Sequence, residues 1–261
     1  MEARVDGRIV LVTGATQGIG RAIAIAAVEA GAAGVFITGR DPTRGAETAA
    51  ELSALGAPAL FFPAELADPA APAAIVKAAL DEFGRIDALV NAAALTDRGA
   101  VANASVDLWE RLYAVNARAP FFLMQGVINH LRERRAPGAI VNVLSINAHG
   151  GTPALAVYAS TKAALALITK NAAYAHRFDR IRVNGINVGW TDTPAERRMQ
   201  AVTLGLGEGW LAAANAAQPS GRLLAPNDIA RLALFLLSDA SSPMTGALID
   251  QDQSSVIGVR D

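Results

Sequence analysis

Ile9-Val10-Leu11-Val12-Thr13-Gly14-Ala15-Thr16-Gln17-Gly18-Ile19-Gly20 joins an unbroken aliphatic run to a glycine-rich turn. The run has no polar alternation, so it reads as a strand buried on both faces. The alanine-rich residues 19–30 that follow read as a helix. Glycine lets a turn between strand and helix bend tightly and lets another group approach its backbone. The helix start beyond it offers unpaired N–H groups and the positive end of the helix dipole, which together suit a pyrophosphate. Three spaced glycines are weak evidence alone, and a tight turn with no ligand is the competing reading. Their place after the first strand and before the first helix is what raises them.

The same alternation runs outward through the chain. Further strands are expected at 35–38, 60–62, 88–90, 139–144, 181–187 and 247–250, and helices at 42–55, 75–83, 106–131, 156–176 and 227–237. Asp41 is a natural N-cap for the second helix, with Pro42 at its first position. Strands alternating with helices predict an α/β fold: a doubly wound, mostly parallel seven-stranded sheet with helices on both faces. No repeat, linker or composition break divides residues 1–261, so one domain is expected. The irregular stretch at about 191–221 holds several glycines and two prolines and reads as a substrate lid.

Composition narrows the chemistry. Hydrophobic residues make up 52% of the chain and aromatics only 5%, so alanine supplies much of the apolar content. A net charge of −1 and a pI near 6.3 give no electrostatic case for nucleic acid. The basic run Arg132-Glu133-Arg134-Arg135 reads as a solvated helix end. Cysteine is absent, which excludes disulfides, thiolate catalysis and cysteine metal sites. His130 and His176 read as helix-surface residues, and no metal-ligand spacing occurs, so no metal is expected. Residues 1–8 are charged and 232–237 is far too short an apolar run to cross a bilayer; no membrane association is expected, and the expected location is cytoplasmic.

Lysine occurs only at Lys77, Lys162 and Lys170, and tyrosine only at Tyr113, Tyr158 and Tyr174. Tyr158 alone has a lysine four residues on, which on a helix places both on one face, a turn apart. A fixed ammonium beside a phenol stabilises the phenolate and draws the tyrosine pKa from about 10 toward that of a working acid/base. Two side chains packed as neighbours on a helix surface is the other reading of the pair.

With these motifs in this order, the chain resembles the short-chain dehydrogenase/reductase family, in its larger single-domain branch, from Arg8 to about Val256. The family's TGxxxGIG element matches residues 13–20, and its NNAG element falls on Asn91-Ala92-Ala93-Ala94. Its helix asparagine matches Asn116, its serine Ser145, and its YxxxK Tyr158 and Lys162, with Ser145 13 residues before Tyr158. The resemblance implies a Rossmann-type fold and an NAD(P)-dependent oxidoreductase that interconverts a secondary alcohol and a ketone, or a sugar and a lactone. It implies Tyr158 as the acid/base, Lys162 lowering its pKa and holding the nicotinamide ribose, Ser145 orienting the reacting oxygen, and Asn116 anchoring a water that relays protons from Lys162.

By the same resemblance the cofactor lies along Gly14, Thr16, Gln17, Gly18, Ile19 and Gly20, then Glu65, Leu66, Asn91 and Ala93, then Gly189, Thr191 and Thr193, with Tyr158 and Lys162 at the nicotinamide. Arg40 inclines the cofactor to NADP over NAD. NAD-preferring relatives carry an acid where this chain has Gly39, and a guanidinium pairs with a 2′-phosphate; Asp41 keeps NAD open. A homotetramer is implied, with 106–131 and 156–176 forming one interface.

The chain also departs from the family's pattern. Asn91-Ala92-Ala93-Ala94 lacks the second Asn and the Gly, which is expected to perturb the turn after the fourth strand. Glu65 stands for the usual Asp near the adenine, and Asp250-Gln251-Asp252-Gln253 for Val-Asp-Gly-Gly. Asn147 and His149 beside the serine, and Trp190 and Trp210 with Glu208, Asn215 and Gln218, suit a small hydroxylated substrate such as a sugar or polyol. A polar surface loop is the other reading. Two further functions stay open: a 3-oxoacyl thioester reductase of the same family, and a non-catalytic cofactor-binding sensor or scaffold.

Overall fold

The computed structural model describes residues 2–253; Met1 and residues 254–261, which include the end of the family resemblance at Val256, lie outside the described residues. Seven strands form one sheet: β1 (Ile9–Thr13), β2 (Gly34–Gly39), β3 (Ala59–Pro63), β4 (Ala88–Asn91), β5 (Gly138–Val143), β6 (Ile181–Val188) and β7 (Leu248–Gln251). Around it run α1 (Gly18–Glu29), α2 (Pro42–Ala54), α3 (Ala71–Phe83), α4 (Val106–Tyr113), α5 (Ala119–Glu133), α6 (Ala156–His176), α7 (Pro194–Arg198), α8 (Trp210–Ala216) and α9 (Pro226–Leu237). The strand order is β3-β2-β1-β4-β5-β6-β7, and every pairing is parallel. The order runs outward in both directions from the β1/β4 pair, so a crevice opens at the C-terminal ends of those two strands.

The unbroken apolar runs are explained by two cores. Val10 and Val12 of β1 face one, with Ala24, Ala27, Ala230 and Ala233 of α1 and α9. Leu11 faces the other, with Ile75, Leu123, Val127 and Leu165 of α3, α5 and α6. The alanines let α1 and α9 approach closely, which is why a chain poor in aromatics still fills its interior.

Two expectations change. The helix expected over 106–131 is interrupted: Ala114–Arg118 form a wider turn in which the Ala119 N–H donates to the Ala114 carbonyl five residues back. Pro120 is the cause, because it has no N–H to give the Asn116 carbonyl four residues before it. The stretch expected to be irregular carries α7, a second wide turn at Met199–Thr203 and α8. Its base is stapled by Leu224 N to the Trp190 carbonyl (3.0 Å) and Asp192 N to the Leu224 carbonyl (2.8 Å).

His130 and His176 are half-buried connectors rather than surface residues. His130 Nε2 accepts from Ile86 N at 3.3 Å, and His176 Nδ1 lies 2.8 Å from Asp179 Oδ2. Nor is the basic run at 132–135 simply a solvated helix end, since Arg132 pairs with Asp179 and Arg134 with Asp87. Among the described residues no helix is long and apolar enough to cross a membrane.

Candidate active site

The crevice above β1 and β4 encloses about 230 Å³. Gly14 sits at φ 66°, and a side chain there would meet Ala93 Cα at 2.7 Å, so the two strand ends touch backbone to backbone. Thr13 Oγ1 accepts from both Ala92 N (3.1 Å) and Ala93 N (3.2 Å). The Asn91–Ala94 turn is therefore held, not perturbed: threonine supplies the acceptor and alanine fits the space. Gly14, Thr16, Gln17, Gly18, Ile19 and Gly20 line the crevice, as do Arg40, Glu65, Leu66, Ala93 and Thr193.

Five expected cofactor residues do not line it: Tyr158 and Lys162, and with them Asn91, Gly189 and Thr191. Asn91 turns into the sheet, where Nδ2 donates to Asn142 Oδ1 at 2.8 Å and its own buried Oδ1 has no hydrogen-bond partner. Gly189 packs against the Asp252 side chain. Thr191 is buried and its hydroxyl donates to the Gly189 carbonyl at 3.0 Å.

At the outer end, Arg40 is exposed and only loosely opposed, 4.0 Å from Glu65. Asp41 is committed elsewhere: it caps α2 by accepting from Arg44 N (3.1 Å) and pairs with Arg44 Nε (2.7 Å), which hold its carboxyl below the usual range. Arg44 also donates to Gln17 Oε1 at 2.6 Å and lines the crevice beside Arg40. A side chain on Gly39 would lie 2.6 Å from Thr16 Cγ2, so an acid at that position has no room unless Thr16 moves.

Ser145, Tyr158 and Lys162 meet beyond the inner end. Ser145 follows β5, buried, and its Oγ accepts from Asn147 N at 3.2 Å and more weakly from Asn147 Nδ2 at 3.4 Å. With its lone pairs so engaged, the hydroxyl hydrogen is left to donate. Thr152 fixes Asn147 in turn, donating to Oδ1 at 2.8 Å. Tyr158 stands in the first turn of α6, buried, and Lys162 Nζ lies 5.8 Å from its ring centre. Nζ donates to the Val143 carbonyl at 2.8 Å.

The electrostatics differ from expectation. Burial pushes the Tyr158 phenol up; the Ser145 hydroxyl opposes this, Glu196 adds to it, and Arg98 opposes it. Lys162 is not among the charges acting on the phenol, because its own ammonium loses its proton before the phenol titrates. Burial instead lowers Lys162 to about 8.

Asn116 lies in the wide turn before α5. Its Oδ1 accepts from Leu95 N (2.9 Å), and Nδ2 donates to the Leu95 carbonyl (2.9 Å) and Thr161 Oγ1 (3.1 Å). Both amide hydrogens are spent, so the side chain staples the β4–α4 loop to α6. Any water Asn116 anchors is held by its backbone carbonyl, the group that Pro120 deprives of a helical donor.

On the substrate side, His149 Nε2 lies 3.0 Å from Asp250 Oδ1, which also accepts from Asn187 Nδ2 at 2.6 Å. Trp190 and Trp210 stack with centroids 6.1 Å apart. Trp190 Nε1 and Gln200 Nε2 donate to Glu196 Oε1 at 2.8 and 2.6 Å. Asn215 and Gln218 bond locally, accepting from Leu223 N and donating to the Ala214 carbonyl. The charges acting on Tyr158, Glu196 and Arg98, were not among the sequence candidates. Arg98 is half-buried, and its neighbour Gly99 is bonded to Ala154 and Val157, the approach to Tyr158.

A family model described as enoyl-(acyl carrier protein) reductase matches residues 14–253. A curated short-chain dehydrogenase/reductase of Cladobotryum sp is 35% identical over 243 residues, spanning 92% of either chain. The chain belongs to the short-chain dehydrogenase/reductase family. Another relative in the comparison, galactitol 2-dehydrogenase of Agrobacterium fabrum, is 35% identical over 239 residues, 90% of this chain and 92% of its own. L-sorbose reductase of Gluconobacter frateurii, solved with NADPH and L-sorbose, matches with a TM-score of 0.90 at 27% identity over 100% of both chains. This short-chain dehydrogenase/reductase is an oxidoreductase of CH–OH groups.

Proposed function

We propose that the protein interconverts a secondary alcohol and a ketone, or a sugar and its lactone, on a small polyhydroxylated substrate, with NADP(H) preferred over NAD(H). The observation that carries this reading is that the glycine-turn crevice after β1 and the buried Tyr158, Ser145 and Lys162 after β5 stand at the same, C-terminal edge of the parallel sheet. The crevice residues fit a dinucleotide: a backbone that another group can approach closely at Gly14, the N-terminus of α1, and two guanidinium groups, Arg40 and Arg44, at the outer end. When bound, nicotinamide supplies or accepts the hydride. Tyr158 Oη gives or takes the proton at the substrate oxygen, and the Ser145 hydroxyl donates to the same oxygen. Lys162 and Asn116 stand behind Tyr158 on the route by which that proton exchanges with solvent. Because burial raises the Tyr158 pKa, the phenol is protonated at neutral pH and suits carbonyl reduction. Alcohol oxidation needs the phenolate, so its rate rises on the alkaline side.

Asn147, His149, Trp190 and Trp210, with Glu196 and Arg98, give this side aromatic faces and polar groups suited to hydroxyls. Relatives named for galactitol, L-rhamnose and L-sorbose support the substrate class. Exposed Trp109, Phe121, Phe122 and Leu167 on α4, α5 and α6 support self-association through those helices, as in a homotetramer. Calorimetric titration with NADPH and NADH, followed by turnover of sugars, polyols and a 3-oxoacyl thioester, tests the reading. Tighter NADPH binding and turnover of the hydroxylated set support it. Turnover of the thioester alone overturns the substrate class, and failure to bind either dinucleotide moves the scaffold reading ahead of the enzyme.

A further inference from the structure

At the opposite edge of the sheet, where the strands begin, a second cleft encloses about 750 Å³. Six guanidinium groups line it: Arg8 before β1, Arg85 before β4, Arg134 before β5, and Arg177, Arg180 and Arg182 around the start of β6. The carboxylates in its lining are two, Asp87 and Asp239. Asp239 pairs with Arg8 at 2.5 Å, and Asp87 is shared by Arg85 and Arg134, each at 3.0 Å.

The other three arginines pair with no carboxylate among the described residues. Arg182 spends its donors on neutral acceptors: the Leu236 and Ser238 carbonyls at 2.9 and 2.8 Å and Ser241 Oγ at 2.7 Å. Arg177 donates to the Tyr174 carbonyl and stacks on Tyr174 and Phe178, 3.8 and 4.5 Å from the ring centres. Arg180 donates to the Arg135 carbonyl at 2.8 Å. Positive charge thus exceeds negative here, six guanidinium groups to two carboxylates, in a chain whose net charge is −1.

Two further facts point the same way. Among the described residues, the non-glycine positions at positive φ are Arg180 (62°) and Arg135 (54°), donor and acceptor of that bond at the cleft rim. Glycine would hold either conformation without strain; a guanidinium at Arg180 is kept against a backbone cost. Arg182 is also driven below its ordinary range, first by burial and then by the nearby Arg8 charge, against a smaller opposite pull from Asp239; a bound anion would relieve that repulsion.

We propose that this cleft is a second ligand site, distinct from the dinucleotide crevice, for a small anion carrying a di- or triphosphate group, free or borne on a small molecule. The volume lies in the range of small-ligand sites, a few hundred to about 1,000 Å³. Guanidinium forks match phosphate oxygens two at a time, so several of them select for adjacent phosphates over single charges.

The test is calorimetry of the full chain saturated with NADPH, titrated with inorganic tripolyphosphate and, separately, with ATP. Saturable one-to-one binding of tripolyphosphate that weakens as salt rises supports the site. ATP binding no more tightly assigns the recognition to the phosphates, and ATP binding more tightly assigns it to a borne phosphate group. Arg180→Gly is the decisive variant: it relieves the positive-φ strain, so it should melt no lower than the parent while binding at least about tenfold more weakly. Arg177→Ala should weaken binding as well. No saturable binding to the parent at millimolar tripolyphosphate overturns the proposal. So does undiminished binding in both variants, or binding seen only without NADPH, which would place the anion on the glycine turn.

Discussion

Lys162 and Tyr158 are buried together, and burial acts on them in opposite directions. Lys162 is only 2% exposed and is brought from 10.5 to about 8. Its folded pKa lies below its unfolded value, so between pH 8 and 10.5 the unfolded chain binds the extra proton and stability rises with pH. Below pH 8 the cost of the buried ammonium is present in full. Lys162→Met, similar in length and apolar, should therefore stabilise the protein at pH 7 by about 1–2 kcal/mol, with the gain fading toward pH 10.5. Turnover should fall at least about a hundredfold. Urea unfolding at pH 7 and pH 10 checks this; a methionine variant less stable than the parent at pH 7 refutes it. Tyr158→Phe makes the complementary case: its fold and NADPH affinity should persist while kcat drops by about two to four orders of magnitude, and a variant retaining more than a tenth of kcat would remove Tyr158 from the chemistry. The motif residues were legible in the sequence because their chemistry fixes residue type and spacing together. Glu196 and Arg98 were not, because folding alone brings α7 and the β4–α4 loop to Tyr158, and neither was Arg44, which folding alone sets against Gln17 of the glycine turn.

Elements were legible to the extent that one face or two of each had to be apolar. All seven strands fall where the aliphatic runs predict them, within a few residues at their ends. The wide turn at Ala114–Arg118 escaped because periodicity registers side chains, whereas Pro120 acts on a carbonyl one turn earlier. The lid helices escaped because α7 and α8 are only 5 and 7 residues long and are set among glycines. At α9, Asp228 does what no pattern foretells. It accepts from Ala225 N (2.8 Å), Arg222 Nη1 (2.7 Å) and Arg231 Nη2 (2.6 Å), and chiefly the Arg222 bond holds it at about 2. Its folded pKa lies below the unfolded value of 3.8, so its stabilisation is complete above about pH 4 and is lost as pH falls through 2. Asp228→Asn should cost about 2 kcal/mol at pH 7, and the difference from the parent should vanish toward pH 2. A denaturation series across that range decides it: a pH-independent difference would mean the loss is one of packing, not charge.

Across the whole molecule, two large cores cover the sheet, while the region at 191–221, expected from the sequence to be a lid, has a small one of its own. Trp210, Ala214 and Leu223 form a separate buried cluster, joined to the body by the Trp190 stack and the Leu224 staple. A unit with its own small core and a narrow hinge opens at lower free energy than the body it covers. The sequence marked this region as a lid by its glycines but gave no sign of that core, whose members are spread from 210 to 223 and meet only in the fold. Truncating a buried tryptophan to alanine typically costs about 3–5 kcal/mol. In Trp210→Ala that loss should be confined to the lid: amide exchange across 199–216 should quicken by orders of magnitude while exchange in β1, β4 and β5 stays at parental rates. Because the lid carries Trp190's partner and Glu196 but not Ser145 or Tyr158, KM for the substrate should rise about tenfold or more with kcat much less affected. Uniform quickening of exchange through lid and sheet alike would show that the lid and the sheet unfold as one unit, and that the covering of the site is as rigid as its floor.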